Sequence, residues 1–214
     1  MSVVPAAELD AVTVDAFGTL VLLEDPTDRL LASLHVRGLD PPHAAVAAAF
    51  RAEASFYRPR SLLGRDPESL TALRRECVAV FLDSLGADLD PASFVPDFMA
   101  AIVFRLADGA AAALEELRSA GLTLACVANW DVSLREHLKT AGVEQLFQAV
   151  VSSAEAGAEK PDPTIFERAL TELGVSASRA LHIGDEDVDR VGAGAAGLAF
   201  APPPLATLPE RLGL

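Results

Sequence analysis

The apolar positions change their period twice along the chain. Residues 9–15 hold the short β-branched run Val12-Thr13-Val14, which ends on Asp15. Such a run predicts a buried strand. A Gly18-Thr19 turn follows, then an extended apolar segment over 20–25 that Pro26 ends. From residue 27 to about 107 the spacing is helical throughout. Thr27 opens a helix through Leu30, Leu31 and Leu34, and Gly38 stops it. Pro41 and Pro42 open a second through Val46, Ala49, Phe50 and Phe56, as proline does in a first turn. After a loop over 58–66, a third helix over 67–85 sets Leu70, Leu73, Cys77, Val80 and Phe81 on one face. A fourth is expected over 91–106, with Pro96 as a candidate break. Beyond residue 107 the pattern alternates. Short apolar strands are expected at 122–127, 149–151, 180–183 and 198–201. Helices are expected at 109–120, 131–141, 163–173 and 188–196, each stopped by a glycine. Residues 1–8 read as a lead-in, and 205–212 as a short terminal helix.

Alternating helices and short buried strands predict a parallel sheet covered on both faces. The block of helices interrupts that alternation, so it reads as an insertion. The expected fold is α/β, a doubly wound parallel sheet with an inserted all-helical cap. The core would comprise residues 1–23 and 108–214, and the cap residues 24–107.

Composition narrows the partners. With 51% apolar residues the chain can bury a substantial core. A net charge of -14 argues against nucleic acid or an anionic membrane as the main partner. Cys77 and Cys126 lie in apolar runs and read as small buried hydrophobes, which fits a reducing compartment, the cytoplasm. No apolar span of ~20 residues and no secretion leader is visible. A monomer or homodimer is expected.

The chemistry gathers at strand ends. The first expected strand ends on Asp15. The next core strand runs into Ala128-Asn129-Trp130-Asp131, and the one after precedes Glu159-Lys160-Pro161-Asp162. The strand at 180–183 runs into Gly184-Asp185-Glu186-Asp187-Val188-Asp189. In a parallel sheet these ends share one edge, where open α/β sheets bind their ligands. Asp15 is then a candidate nucleophile or metal ligand, against the blander reading of a turn-capping aspartate. Several carboxylates at one point repel unless a cation joins them, and hard oxygen ligands select Mg²⁺. Lys160 can neutralise both the nucleophile and a transferred anion. The remaining polar groups have structural readings. Glu186 and Asp187 suit a solvated helix start, Asp131 a helix cap, Trp130 packing, and His182 a satisfied place in the core. Arg58, Arg60 and Arg65 share a loop. They are solvated by default, and functional if one, Arg58 being the candidate, reaches an anionic substrate.

This order of motifs resembles the haloacid dehalogenase-like hydrolase superfamily over nearly the whole chain. Asp15-Ala16-Phe17-Gly18-Thr19-Leu20 looks like its first motif, and Ala128-Asn129 stands at its second. Lys160-Pro161-Asp162-Pro163 looks like its third, and residues 184–189 its acidic fourth. The helical insertion is similar to the family's small α-helical cap. The resemblance implies Asp15 as nucleophile, Lys160 as its partner, and a Mg²⁺ held by Asp15, the Phe17 backbone carbonyl, Asp185 and Asp189. Thr19 and Asn129 would help position a small phosphorylated substrate.

Two positions depart from that pattern. The family's phosphatases carry a second aspartate, the general acid/base, where this chain has Phe17. Its dehalogenases carry an aromatic residue there, because a halide leaves without a proton. Ala128 also lacks the hydroxyl that the second motif usually offers. The acidic fourth motif favours phosphoryl transfer, while position 17 is dehalogenase-like. The expectation is therefore a Mg²⁺-dependent phosphatase working through an aspartyl-phosphate. The alternatives are a metal-independent 2-haloacid dehalogenase and a non-catalytic member that binds a ligand or partner.

Overall fold

The computed structural model describes residues 4–214. The chain forms two compact units. One ends at Leu22 and resumes over Arg105–Leu214; the other is Leu23–Phe104.

In the first unit, β1 (Ala11–Val14) is the middle strand of a five-stranded sheet. The chain leaves β1 through β2 (Val21–Leu23) and returns through β3 (Phe104–Leu106), which pair as a separate two-stranded sheet. Next come α5 (Ala110–Ser119), β4 (Thr123–Ala128), α6 (Leu134–Thr140), β5 (Ala149–Ser152), α7 (Ser153–Ala156) and α8 (Thr164–Leu173). The chain closes with β6 (Ala180–Ile183), α9 (Asp187–Ala195), β7 (Ala199–Ala201) and α10 (Leu208–Leu212). The strand order is β5-β4-β1-β6-β7, and every pair in it is parallel. The chain therefore builds outward on one side of β1, then crosses to the other. That reversal leaves a crevice beyond the carboxyl end of β1.

Both faces of the sheet are covered. Ala11, Ala125, Val127, Ala149, Val151 and Ala180 pack in one cluster with Ile165, Phe166 and Ala169 of α8 and Ala193 of α9. Side chains alternate along a strand. The intervening Val12, Val14, Leu124, Cys126, Leu181 and Ile183 are also fully buried, so the opposite face is closed as well. Two fully buried polar residues stand on the first face, Thr13 and His182, directly opposite each other in the β1–β6 register.

The second unit is built around four helices: α1 (Thr27–Val36), α2 (His43–Tyr57), α3 (Pro67–Leu85) and α4 (Pro91–Ala101). Its core joins Leu30 and Leu34, Val46 and Ala49, Val78, Phe81 and Leu82, with Phe94 and Phe98. Phe81 stacks on Phe94 at 6.2 Å and meets Phe98 edge-on at 5.2 Å. Asp66 and Ser69 close a capping box ahead of α3.

Three expectations need correction. The expected fourth helix stops at Ala101, and residues 104–106 form β3, because β2 supplies a ladder partner that the local pattern does not reveal. Pro96 does not break α4: it removes one amide donor in mid-helix, while Phe94, Phe98 and Ala101 keep the face buried. The segment at 58–66 is no open loop. A 3₁₀ turn, Arg58–Leu63, continues from α2, and Arg60 lies over the Phe56 ring and donates to the Phe56 carbonyl.

Candidate active site

Lys160 is the centre of the site. It is 4% exposed, and its ammonium donates to Asp15 Oδ1 at 2.5 Å, Asp189 Oδ1 at 2.5 Å and the Val127 carbonyl at 3.2 Å. All three ammonium protons therefore have acceptors. Burial alone would lower the Lys160 pKa. The Asp15 and Asp189 carboxylates outweigh it and hold the group above the usual lysine range.

Each partner is placed by the sheet. Asp15 directly follows β1, and its N–H donates to the Ile183 carbonyl of β6. The turn beyond it is tight. Gly18 has φ +91°, and a Cβ there would lie 2.3 Å from Asp185 Oδ2. Only glycine combines that backbone with that approach. Asp189 lies in the first turn of α9, over Gly184, where a Cβ would sit 2.3 Å from the Asp189 Cγ. Its Oδ2 accepts the Glu186 N–H, and its Oδ1 meets His182 Nε2 at 3.1 Å. Asn129 holds the segment that carries Lys160: its Oδ1 accepts the Lys160 N–H at 2.7 Å and its Nδ2 donates to the Lys160 carbonyl at 3.1 Å.

The electrostatics are lopsided. Burial raises Asp15 to about 7, and Lys160 offsets only part of that effect. Burial likewise raises Asp185, which is more exposed, at the rim. For Asp189, burial opposes the charge, but the bonds from His182 and Lys160 prevail and hold it below the usual carboxylate range. Burial lowers His182 to about 4, so it is neutral near pH 7. Three carboxylates thus face one ammonium.

A cation suits this excess. Asp15 Oδ2 is buried and has no hydrogen-bond partner among the described residues. Asp15, Asp185 and Asp189 each offer a carboxylate oxygen, and these lie within 4.8 Å of one another. The donors are all hard oxygens, the set that Mg²⁺ takes. Asp189 is the most committed of the three, since both its oxygens already accept protein donors.

Among the residues singled out from the sequence, Asp15, Lys160, Asp185 and Asp189 come together. Thr19 joins them, with its hydroxyl 3.5 Å from Asp185 Oδ1. Phe17 is 39% exposed in the turn after Asp15. The Asn129 side chain is taken up by the Lys160 backbone. Arg58 belongs to the helical unit. Asp131 makes a turn with Ser133, three residues ahead of the first residue of α6, and does not cap that helix. Trp130 is buried, with its ring 5.4 Å from that of His137. Thr13 and His182 were not recognisable as site residues. The one signal was a histidine two positions before Gly184 in an otherwise apolar strand.

The sequence of the haloacid dehalogenase-like hydrolase family matches this chain over residues 9–197. The chain belongs to that family. It is a hydrolase of the α/β architecture the family shares. A haloacid dehalogenase-like hydrolase domain-containing protein 3 from Bos taurus is 39% identical over 103 residues, covering 48% of this chain and 41% of the relative. A phosphoserine phosphatase from Thermus thermophilus is 43% identical over 77 residues, 36% of this chain and 31% of the relative. The chain thus spans under half the length of these curated relatives. The solved L-2-haloacid dehalogenase from Xanthobacter autotrophicus, with chloropropionic acid covalently bound, superposes with a TM-score of 0.65 at 25% identity. That superposition covers 91% of this chain and 77% of the dehalogenase.

Proposed function

We propose that this hydrolase is a Mg²⁺-dependent phosphatase that cleaves a small phosphorylated molecule through an aspartyl-phosphate on Asp15. The carrying observation is the state of the Asp15 carboxylate. One oxygen is held by Lys160, the other is buried without a hydrogen-bond partner among the described residues, and two further carboxylates lie beside it. A Mg²⁺ held by Asp15, the Phe17 carbonyl and Asp185, with Asp189 behind, would supply charge neutralisation for a phosphoryl group and its attacking carboxylate.

The chain's own residues then divide the work. An Asp15 oxygen attacks phosphorus, forming an O–P bond as the bond to the leaving oxygen breaks. Lys160 carries positive charge against the anionic group in a site with little water. Thr19 and the Asn129 N–H position the phosphoryl oxygens, and Ala128 adds no hydroxyl. Arg58 is our candidate for an anionic portion of the substrate. Water next attacks phosphorus and returns Asp15 as a carboxylate. Phe17 supplies no proton in either step, so the favoured substrates are those whose leaving oxygen needs none, aryl and acyl phosphates. Two buried cysteines that are not in a disulfide, Cys77 and Cys126, support our placement of the protein in the cytoplasm.

A second reading rests on Phe17. A halide also leaves without a proton, and attack of Asp15 on a 2-haloacid would give an ester at the same carboxylate. One screen separates the readings: phosphate release from aryl and alkyl phosphates and halide release from 2-haloacids, each with Mg²⁺ and with EDTA. We expect phosphate release that needs Mg²⁺ and is abolished in Asp15→Asn. Halide release in EDTA would replace the phosphatase reading with the dehalogenase one.

A further inference from the structure

Lys160 and Asp15 belong to the proposed chemistry, but the bonds continue past them into the sheet. Asp189 Oδ1 accepts from Lys160 and also faces His182 Nε2 at 3.1 Å. On the other side of the ring, His182 Nδ1 lies 2.8 Å from the Thr13 hydroxyl. Both His182 and Thr13 are fully buried. The imidazole lies in an otherwise apolar face, with the Phe166 ring edge-on at 4.9 Å and Phe200 at 6.4 Å. A polar ring in such a place has a cost unless both nitrogens are satisfied.

We propose that His182 is a positioning residue, fixed by Thr13 as the neutral tautomer with its proton on Nε2, whose bond to Asp189 sets where Lys160 holds its charge against Asp15. The role in turnover rests on the phosphatase reading above; the tautomer and the hold on Lys160 do not.

The two possible neutral tautomers are not equivalent here. With the proton on Nε2, the ring donates to Asp189 and Nδ1 accepts the Thr13 hydroxyl. Every group is then used. With the proton on Nδ1, the Nε2 lone pair would point at the Asp189 carboxylate. The Thr13 hydroxyl would then have to find another acceptor, and the Leu181 carbonyl is 3.5 Å away, at the outer limit of a hydrogen bond. A doubly protonated ring would set a full charge in the apolar face beside Phe166 and Phe200, away from water, which is costly. Three donors, from His182, Lys160 and the Glu186 N–H, fix the plane of the Asp189 carboxylate. Removing the histidine leaves that plane to one backbone bond and to Lys160 itself. The lysine then has no fixed reference, and its distance to Asp15 is set less sharply. An orienting partner of this kind typically changes activity by about 10- to 100-fold when it is removed.

The chain has four histidines and only two lysines, Lys139 and Lys160, which makes nitrogen-specific NMR of the full chain direct. In ¹⁵N-histidine-labelled protein at neutral pH, His182 is expected neutral with Nε2 protonated, and Thr13→Val is expected to keep the proton on Nε2 but to move the Nδ1 resonance to that of an unbonded ring nitrogen, an unmoved Nδ1 resonance overturning the part given to Thr13. In ¹⁵N-lysine-labelled protein, Lys160 is expected as a slowly exchanging ammonium resonance that His182→Leu loses and His182→Gln keeps, since the glutamine amide reaches toward the Nε2 position. With p-nitrophenyl phosphate and Mg²⁺, His182→Leu is expected to lower kcat by about 10- to 100-fold with KM nearly unchanged, and His182→Gln to restore most of it. A proton found on Nδ1, or an unaltered lysine resonance in folded His182→Leu, would overturn the proposal. So would a wild-type kcat in that variant. If His182→Leu does not fold, the Thr13→Val spectrum decides alone. A wild-type protein that releases no phosphate but shows both expected resonances would overturn the phosphatase reading and leave this tautomer and its hold on Lys160 standing.

Discussion

Phe17 stands where a proton donor would make the site general, and the consequence can be measured. A positioned acid or base is typically worth ~10²–10⁴-fold in rate. We expect Phe17→Asp to raise turnover of alkyl phosphates within that range while changing aryl phosphates far less, because a phenolate leaves without help. Equal gains on both substrate types would mean that Phe17 acts through the shape of the pocket and not through a missing proton. Gly184 offers a test from the other direction. A methyl there would meet the Asp189 side chain at a distance no real contact shows, so Asp189 must move. Forced overpacking of this kind typically costs about 1–3 kcal/mol. Gly184→Ala should therefore lower the urea midpoint and also lose turnover beyond the loss of folded protein, since Lys160 follows Asp189. Full activity per folded molecule would show that the Asp189–Lys160 bond is not needed for catalysis.

Among the elements, α2 and α3 carry a pH dependence of their own. Glu53 of α2 is 7% exposed, and burial raises its pKa to about 7, with a hydrogen bond to Cys77 of α3 offsetting part of the rise. The unfolded chain titrates this group near 4.5. Below that pH the carboxyl is neutral in both states, and the contribution of the protonated group is fully present. As pH rises toward 7 the unfolded chain ionises while the folded one stays protonated, so stability falls. Above about 7 the loss is complete, at about 3 kcal/mol on 1.36 kcal/mol per pH unit. Glu53→Gln cannot ionise. It should be more stable than the parent at pH 8 by a large part of that amount, with the advantage vanishing near pH 4.5. Urea denaturation of both chains at the two pH values checks this, and a constant difference would refute it. The same elements show what the sequence could reveal. The buried strands of the sheet were legible because each is a short apolar run bounded by Gly, Pro or acid, or at 149–151 by Gln and Ser, and the four motifs sit at or beyond their ends. The strand at 104–106 was not, because Phe-Arg-Leu continues an apolar stretch with no breaker, and its partner lies about 80 residues away in the chain. Asn129 and His182 were placed but their partners were hidden. A hydrogen bond across 31 residues, or a tautomer fixed by a hydroxyl on the next strand, leaves no mark on local spacing.

For the whole molecule, charge is the decisive property. The chain carries -14, and within that total its site gathers three carboxylates around one ammonium and a neutral imidazole. Such a surface draws cations toward the crevice and resists anionic substrates until the local excess is neutralised. Metal binding should therefore appear as folding stability, independent of any assay of turnover. A ligand that binds only the folded state stabilises it by about 2.7 kcal/mol when present at 100 times its dissociation constant. The reporter is already in place. Trp130 is the single tryptophan, buried in the α/β unit next to His137, so its fluorescence reports on the unit that holds the site. We expect Mg²⁺ to raise the midpoint of the fluorescence transition and EDTA to reverse the rise. Asp185→Asn should shrink the shift, because it removes a ligand at the exposed edge of the cluster without touching the Lys160 bonds. Asp15→Asn should shrink it further, because it removes the buried oxygen that has no other partner. A midpoint indifferent to Mg²⁺ in the parent chain would mean that the excess negative charge is balanced in another way. The unpartnered oxygen of Asp15 would then be free to attack carbon in a metal-free site, and halide release would become the measurement to make first.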